Sequence, residues 1–142
     1  MRRITVVLFA LACVRTSAQQ PTPNPLATSR VFAYDDMAAK TAPNGAVGRN
    51  VFSGTLATGE AVAVHETIQP KGTVPNAPHR IQHSEVIVVQ EGTLDYQHDG
   101  KTESAGAGSI IYVAPGTLHS VKNVGNGEAK YVVIAIGGDT GK

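Results

Sequence analysis

Side chains able to bind metals or transfer protons concentrate in two segments of the 142-residue sequence, residues 72–92 and 108–123. The first segment contains His79, His83 and Glu85, and the second contains His119. Imidazole and carboxylate groups are good ligands for divalent first-row metal ions, and the same groups act as general acids and bases. Because His83 lies two residues before Glu85, a regular strand would turn both side chains to one face. These segments are therefore the candidate site of function.

Other common catalytic arrangements are absent from the sequence. It contains no G-x-S-x-G nucleophile motif, no G-x-x-x-x-G-K-[ST] phosphate loop and no dinucleotide-binding glycine motif after a strand. Its single cysteine, Cys13, lies in an apolar N-terminal stretch that is predicted to be removed. The mature chain is therefore predicted to be neither a thiol enzyme nor a disulfide-stabilised scaffold.

The elements that must position the candidate residues are short strands. From residue 50 onward the sequence alternates with a period of two, which predicts strands over residues 51–56, 61–68, 85–90, 93–98, 109–113, 120–124 and 129–136. Asp99-Gly100 lies between 93–98 and 101–104 and predicts a hairpin with a type I′ turn. Residues 35–40 predict one short helical turn. Many strands without intervening helices predict an all-β fold, an antiparallel sandwich or barrel.

The two reactive segments resemble the two sequence motifs of the cupin superfamily. Glu85 and Gly92 are separated by six residues, Gly116 and His119 by two, and His119 and Asn123 by three, as in the family pattern. Fifteen residues lie between Gly92 and Gly108, a linker length typical of small microbial cupins. The resemblance implies an antiparallel jelly-roll β-barrel, also called a double-stranded β-helix.

Two positions depart from the family pattern. Ile81 stands where the second histidine of the first motif is expected, and Ala114 replaces the first proline of the second motif. The resemblance therefore implies an incomplete form of the family's three-histidine, one-glutamate ligand set, namely His79, Glu85 and His119. It implies one divalent transition metal as cofactor (Fe, Mn, Zn, Ni or Cu). Two histidines and one carboxylate leave coordination positions open, as in non-haem iron enzymes.

Two alternatives stand beside this ligand set. His83 is a candidate replacement ligand if the chain kinks after Pro78, and otherwise its side chain points outward. The second alternative is a barrel that has lost its metal, in which the same residues are held by hydrogen bonds. In that case Ile81 would narrow the cavity and exclude water.

The remaining histidines and two of the tyrosines receive structural predictions. His65 is predicted on the face opposite to the valines of its strand, at the surface or a sheet interface rather than as a fourth ligand. His98 is predicted to be solvated beside the hairpin turn. Tyr96 and Tyr112 are predicted to pack in the core, with a place in the cavity wall as the alternative.

The N-terminus has the pattern of a secretory leader. Arg2 and Arg3 precede an apolar run over residues 4–14, and small residues follow at 16–18. We expect a signal peptide over residues 1–18, a flexible tether over the proline-rich residues 19–30, and a cupin domain over residues 31–142. The predicted location is periplasmic or secreted. The alternative is a lipoprotein anchored through Cys13.

Charge and hydropathy limit the partners. Without residues 1–18, Lys plus Arg falls from 12 to 9 against 11 acidic residues, and the formal charge changes from +1 to about −2. No basic surface for nucleic acid is indicated. No segment approaches the roughly 20 apolar residues that span a bilayer. A small-molecule ligand is the expected partner, and the family resemblance implies a homodimer.

The leading functional hypothesis is a metal-dependent oxidoreductase, similar to a dioxygenase, that acts on a small organic molecule. The first alternative is a module that binds a metal or small molecule without turnover. The second alternative is a lyase or isomerase in which the histidines act as acid and base. The family fold hosts all three classes and does not choose among them.

Overall fold

Antiparallel strands make up about half of the described residues in the computed structural model, which describes residues 24–138 and 140. The predicted signal peptide and residues 19–23 lie outside the described residues. The elements are a 3-10 turn at Tyr34–Asp36 and strands β1 Ala39–Thr41, β2 Val47–Thr55, β3 Ala61–Gln69, β4 Ser84–Glu91, β5 Thr93–His98, β6 Lys101–Gly106, β7 Ile110–Val113, β8 His119–Asn123 and β9 Ala129–Ile136. No helix in this part of the chain is long and apolar enough to cross a membrane.

The strands form two antiparallel sheets. One sheet has six strands in the order β1-β2-β3-β9-β4-β7, and the other has three in the order β6-β5-β8. The hydrophobic core draws side chains from both sheets, including Leu94 and Tyr96 of the small sheet and Val89, Val113 and Val133 of the large one. The all-β antiparallel fold expected from the sequence is therefore confirmed.

Alternation along each strand separates the core from the outer surface. In β9 the odd positions Ala129, Tyr131, Val133 and Ala135 are buried, whereas the even positions are more exposed. The same parity continues across the sheet, because Val133 is in register with His65 of β3 and with Ile87 of β4. Side chains from three strands therefore meet in rows on the concave face of the large sheet.

The hairpin between β5 and β6 has the predicted turn. Asp99 has a φ of 45° and Gly100 a φ of 79°, and positive φ at both central residues defines a type I′ turn. This turn matches the twist of the flanking strands. The strong turn signal in the sequence therefore predicted both the position and the geometry of this hairpin.

The structure corrects the predictions before residue 51. The helical turn lies earlier than expected, at Tyr34–Asp36, and residues predicted to be helical form the short edge strand β1 at Ala39–Thr41. β2 begins at Val47, four residues before the predicted strand, because residues 47–50 pair in register with β3. Main-chain pairing, which needs no alternating side chains, determines the structure here.

The segment before β1 packs on the outer face of the large sheet. The Asn24 side-chain amide donates a hydrogen bond to the Thr55 carbonyl (2.7 Å), and the ring of Phe32 lies 4.8 Å from that of Phe52. The Tyr34 ring lies under the Arg49 guanidinium, 4.6 Å away. Residues 24–34 thus contact β2, while the division into leader, tether and domain stays a prediction.

Candidate functional site

A cavity of about 370 Å³ opens on the concave face of the large sheet. One part of its wall consists of three histidines and a glutamate, His65, His79, His119 and Glu85. Thr67, Gln69, Ser120 and Tyr131 contribute hydroxyl and amide groups, and Ile87, Val121 and Val133 contribute apolar surface. Lys40, Thr41, Asn44 and Asn76 lie on the side formed by β1 and the loops. A mixed wall of this kind suits a small organic ligand with a few polar groups.

Glu85 is the centre of the polar contacts. Its carboxylate oxygen Oε1 lies 3.0 Å from Nε2 of His83, and its Oε2 lies 3.7 Å from Nε2 of His119. The structure therefore places the carboxylate between two imidazoles, one from the residue before β4 and one from the start of β8. His83 is not among the residues that line the cavity, and its side chain, 11% exposed, is turned to Glu85 rather than outward into solvent.

His79 and His119 are brought together by main-chain pairing. Each donates its backbone N–H to the other's carbonyl at 3.0 Å, and the two ring centroids are 4.6 Å apart. Nδ1 of His119 lies 3.1 Å from the Thr117 carbonyl, and Nδ1 of His79 lies 3.3 Å from the Ala77 carbonyl. A carbonyl only accepts hydrogen bonds, so each Nδ1 carries the proton. In the neutral rings this leaves Nε2 as the free base.

The electrostatics of the site favour charge separation between Glu85 and the imidazoles. Burial raises the pKa of Glu85, but the neighbouring imidazoles of His119 and His83 outweigh it, so the pKa lies below its ordinary value. The nearby Glu85 carboxylate raises the pKa of His119 against the effect of burial. Burial lowers the pKa of His65, and the charge of Glu85 opposes this shift only in part. Burial thus favours the neutral form of His65.

Several sequence predictions for individual residues are corrected. Ile81 does not line the cavity; its side chain is buried in the hydrophobic core. His65 does lie on the face opposite to the valines of β3, but this face is the cavity wall rather than the protein surface. His98 is not simply solvated, because its ring stacks on Tyr96 at 4.6 Å and its Nε2 lies 2.7 Å from Glu103.

The tyrosines divide between the core and the surface. Tyr96 is buried in the core as predicted, whereas Tyr112 is 61% exposed on the outer face. Tyr131, which sequence reasoning did not single out, lines the cavity and accepts a hydrogen bond from the Gln69 side-chain amide (3.0 Å). Thr67 and Gln69 were also missed. Thr67 and Gln69 follow His65 at steps of two along β3, so a period of two predicts all three side chains on the same face.

The donor chemistry around Glu85 fits a divalent first-row metal. His79 and His119 each present Nε2 as the nitrogen with a free lone pair, and a backbone carbonyl fixes the opposite nitrogen, as is usual for metal-binding histidines. Within residues 24–138 and 140, however, no three His, Cys, Asp or Glu side chains are grouped closely enough to hold an ion as they stand. In this structure Glu85 is hydrogen-bonded to His83 and lies 3.7 Å from His119.

Comparison with known proteins identifies the family. The sequence model of the Cupin domain family matches residues 64–135, just over half of the chain. The chain therefore belongs to the cupin family, and its sheets are those of the cupin double-stranded β-helix. No curated protein matches the sequence.

Solved structures agree with this assignment. An RmlC-like cupin from Shewanella frigidimarina NCIMB 400 has 19% identity over 78% of this chain and 94% of its own, with a TM-score of 0.63. KdgF from Halomonas sp. has 13% identity over 79% and 97%, with a TM-score of 0.66. A predicted oxalate decarboxylase from Thermotoga maritima has 16% identity over 75% and 98%, with a TM-score of 0.58. At these identities the likeness concerns the fold.

Proposed function

We propose that the protein is a metal-dependent oxidoreductase, similar to a dioxygenase, that binds one divalent transition metal through His79, Glu85 and His119 and acts on a small organic molecule. The observation that carries the proposal is the arrangement at Glu85: its carboxylate and the Nε2 atoms of two carbonyl-fixed histidines line one cavity. The solved structures with a similar fold include a predicted oxalate decarboxylase, which is an enzyme class. The fold itself selects no single reaction.

In this proposal the protein's own residues have distinct tasks. A bound metal would supply Lewis acidity and open coordination positions for substrate and O2. Glu85 would neutralise part of the ion's charge, and His83 would hold the Glu85 carboxylate through its 3.0 Å contact. The carbonyls of Thr117 and Ala77 would keep both ligand rings in their orientation. The apolar side chains Ile87, Val121 and Val133 would exclude bulk water from the bound molecule.

Elemental analysis of the tag-free protein tests the metal. We expect about one equivalent of a first-row metal in the wild type, and loss of most of it in His79→Ala and in His119→Ala. His98→Ala is the matched control, because His98 is a histidine outside the cavity wall. His83→Ala should weaken metal binding about 10–100-fold, as is typical when the partner of a ligand is lost. A wild type that is metal-free and cannot be reloaded contradicts the proposal.

A second candidate function is a metal-free site for ligand binding or proton transfer, as in a binding module, a lyase or an isomerase. The position of Glu85 favours it, because its carboxylate is hydrogen-bonded to His83 at 3.0 Å and lies 3.7 Å from the imidazole of His119, so acid and base groups stand side by side in the cavity. Oxygen uptake with candidate substrates separates the two. Metal-dependent uptake supports the oxidoreductase, whereas turnover that survives chelation and requires Glu85 supports the lyase or isomerase.

We also infer secretion or periplasmic export from the leader pattern over residues 1–18. Mass spectrometry of protein recovered from the producing cells tests this inference. A mature N-terminus near Gln19 in the periplasmic or secreted fraction is expected. A lipid-modified N-terminus at Cys13 supports the lipoprotein alternative, and an intact Met1 in the cytoplasm contradicts both.

We infer a homodimer formed through the outer face of β4 and β7. Val86 and Val88 are in register with Tyr112 and Ile110 on that face, and Ile110 is 69% exposed. These four residues carry no charge, so two copies of the face can pack without repulsion. Light scattering should give a dimer for the wild type and a monomer for Ile110→Glu. A monomeric wild type at high micromolar concentration contradicts the inference.

A further inference from the structure

Lys40 gives the cavity a positive charge at the end away from Glu85. It is the one lysine or arginine in the cavity wall formed by the described residues. Among those residues it forms no ion pair, in contrast to Arg49 and Lys130, which both contact Glu66. Lys40 is exposed at the edge of the sheet, so its ammonium group can reach an anion that enters the cavity and form a charge-assisted hydrogen bond with it.

Strand register explains why Lys40 faces the cavity. Lys40 of β1 is paired with Gly48 of β2, Gly48 with Thr67 of β3, and Thr67 with Tyr131 of β9. These positions form one row across the sheet, and all four line the cavity. Gly48 has no side chain, so it leaves space between Lys40 and the hydroxyl groups of Thr67 and Tyr131.

Neighbouring groups complete a polar environment at this end. The Asn44 side-chain amide donates to the Val74 carbonyl (2.8 Å) and to the Asn76 side-chain oxygen (3.4 Å). These bonds join the loop after β1 to the loop before β4. The Asn76 amide group also lines the cavity, and it adds an N–H donor to the ammonium of Lys40.

The two charged ends lie apart along the sheet. Lys40 belongs to the row of Tyr131, whereas Glu85 is in register with Ala135, four residues further along β9. At about 3.3 Å per residue this separates the two rows by about 13 Å along the strands, and β1 and β4 are also four places apart in the sheet order. A ligand anchored at Lys40 therefore extends toward Glu85 and His119 past the apolar surface of Val133 and Ile87.

We propose that Lys40 is the specificity-determining residue of the cavity, and that the ligand is a small organic acid whose carboxylate binds Lys40 while its carbon skeleton lies in the cavity on the side toward Glu85 and His119. This proposal rests on the proposed function in taking the cavity as the ligand site, but it does not require a metal. It assigns the substrate class that the fold leaves open.

Binding of paired acids and amides tests the proposal. The probes are benzoate and benzamide, 3-phenylpropanoate and 3-phenylpropanamide, and hexanoate and hexanamide. Each pair shares a carbon skeleton and differs in charge. Affinities are measured by NMR titration or calorimetry on the full-length protein, before and after treatment with a chelator. In at least one pair we expect the acid to bind about tenfold more tightly than the amide, as fits one charged hydrogen bond.

Variants assign the preference to Lys40. Lys40→Gln should remove the preference for the acid, and Lys40→Arg should retain most of it. Lys122→Gln is the control, because Lys122 lies on the cavity strand β8 but is exposed and outside the cavity wall. Circular dichroism and melting temperature confirm that each variant is folded.

The outcomes separate this proposal from the metal proposal. Equal binding of acid and amide in every pair, absence of binding by all six probes, or a preference that survives in Lys40→Gln overturns the role of Lys40. A preference that disappears on chelation but not in Lys40→Gln assigns carboxylate binding to the metal and also overturns it. A preference that depends on Lys40 in a protein without metal supports it even where the metal proposal fails.

Discussion

Asn123, the last residue of β8, forms hydrogen bonds through both the nitrogen and the oxygen of its side-chain amide. Its Nδ2 donates to the carbonyls of Gln69 (2.8 Å) and Gly127 (2.9 Å), and its Oδ1 accepts from the N–H of Gly125 (2.9 Å). Because Asn123 and Gln69 are buried, loss of the amide leaves backbone groups without partners. Asn123→Ala should lower the free energy of unfolding by about 1–3 kcal/mol.

Urea unfolding checks this value. Asn126→Ala is the control, because Asn126 lies exposed in the same turn and should change the stability by less than about 0.5 kcal/mol. Equal stability of the two variants would show that water replaces the lost bonds.

Tyr131 provides a prediction for high pH. Burial raises the pKa of its phenol, because the charged phenolate is poorly solvated in the cavity wall. In the unfolded chain a tyrosine ionises near pH 10. The folded state therefore binds the proton more tightly, and Tyr131 lowers the free energy of unfolding as the pH rises above about 10.

Ultraviolet titration of the phenolate measures this effect. Tyr131→Phe should remove a component that ionises above the ordinary tyrosine range, and it should reduce the loss of stability above pH 10. Tyr112→Phe, which alters the exposed tyrosine of β7, should leave that component in place. Loss of the component in Tyr112→Phe instead would contradict the assignment.

The sequence predicted part of the cavity wall. Motif spacing placed His79, Glu85 and His119 in one site, and the structure brings all three to the cavity. Lys40 and Tyr131 were not predicted, because they reach the cavity through pairing of β1, β2, β3 and β9. Register between strands distant in sequence cannot be read from local periodicity. The sequence predicted that His65 lies on the face opposite to the valines of β3. That this face lines the cavity depends on the same strand pairing.

At the scale of elements, the β4–β5 connection is tightly constrained. Gly92 has a φ of 77°, and a Cβ there would lie 2.5 Å from the Glu128 carbonyl oxygen and 2.8 Å from Cα of Ala129. Gly100 has a similar φ of 79°, but a Cβ there would meet nothing within 4 Å. Both positions strain an L-residue, whereas only Gly92 adds a clash with backbone.

Alanine substitutions at Gly92 and Gly100 separate the cost of backbone strain from the cost of a steric clash. Gly100→Ala should cost about 1–2 kcal/mol of stability for its left-handed conformation. Gly92→Ala should cost about 1–3 kcal/mol more, because the start of β9 must move. Thermal or urea unfolding measures both variants. An equal loss of stability would mean that the β8–β9 connection shifts at little cost.

Strand prediction succeeded where side chains alternate. β5 and β9 have the predicted bounds, 93–98 and 129–136, and both alternate between buried and less buried positions. β1 was missed because all three of its residues are exposed, so its pairing with β2 has no hydrophobic pattern. Edge strands held by main-chain bonds alone give little sequence signal.

At the scale of the molecule, the large sheet is completed by its last strand. β9 lies between β3 and β4, and its pairing with β3 runs from Ala129–Gln69 to Ile136–Val62. Before β9 is in place, no strand joins β3 to β4. The row of side chains formed by His65, Val133 and Ile87 is then incomplete. Formation of the core therefore requires closure of a long loop.

This topology predicts slow folding. Folds dominated by such distant pairings refold in milliseconds to seconds, and we expect this range for the tag-free protein after dilution from urea. The sequence has four tyrosines and no tryptophan, so stopped-flow tyrosine fluorescence is the probe. Val133→Ala should lower the refolding rate if β9 is docked in the transition state. Leu94→Ala, in the three-stranded sheet, should mainly raise the unfolding rate. Refolding completed within the mixing time would contradict the prediction that insertion of β9 makes folding slow.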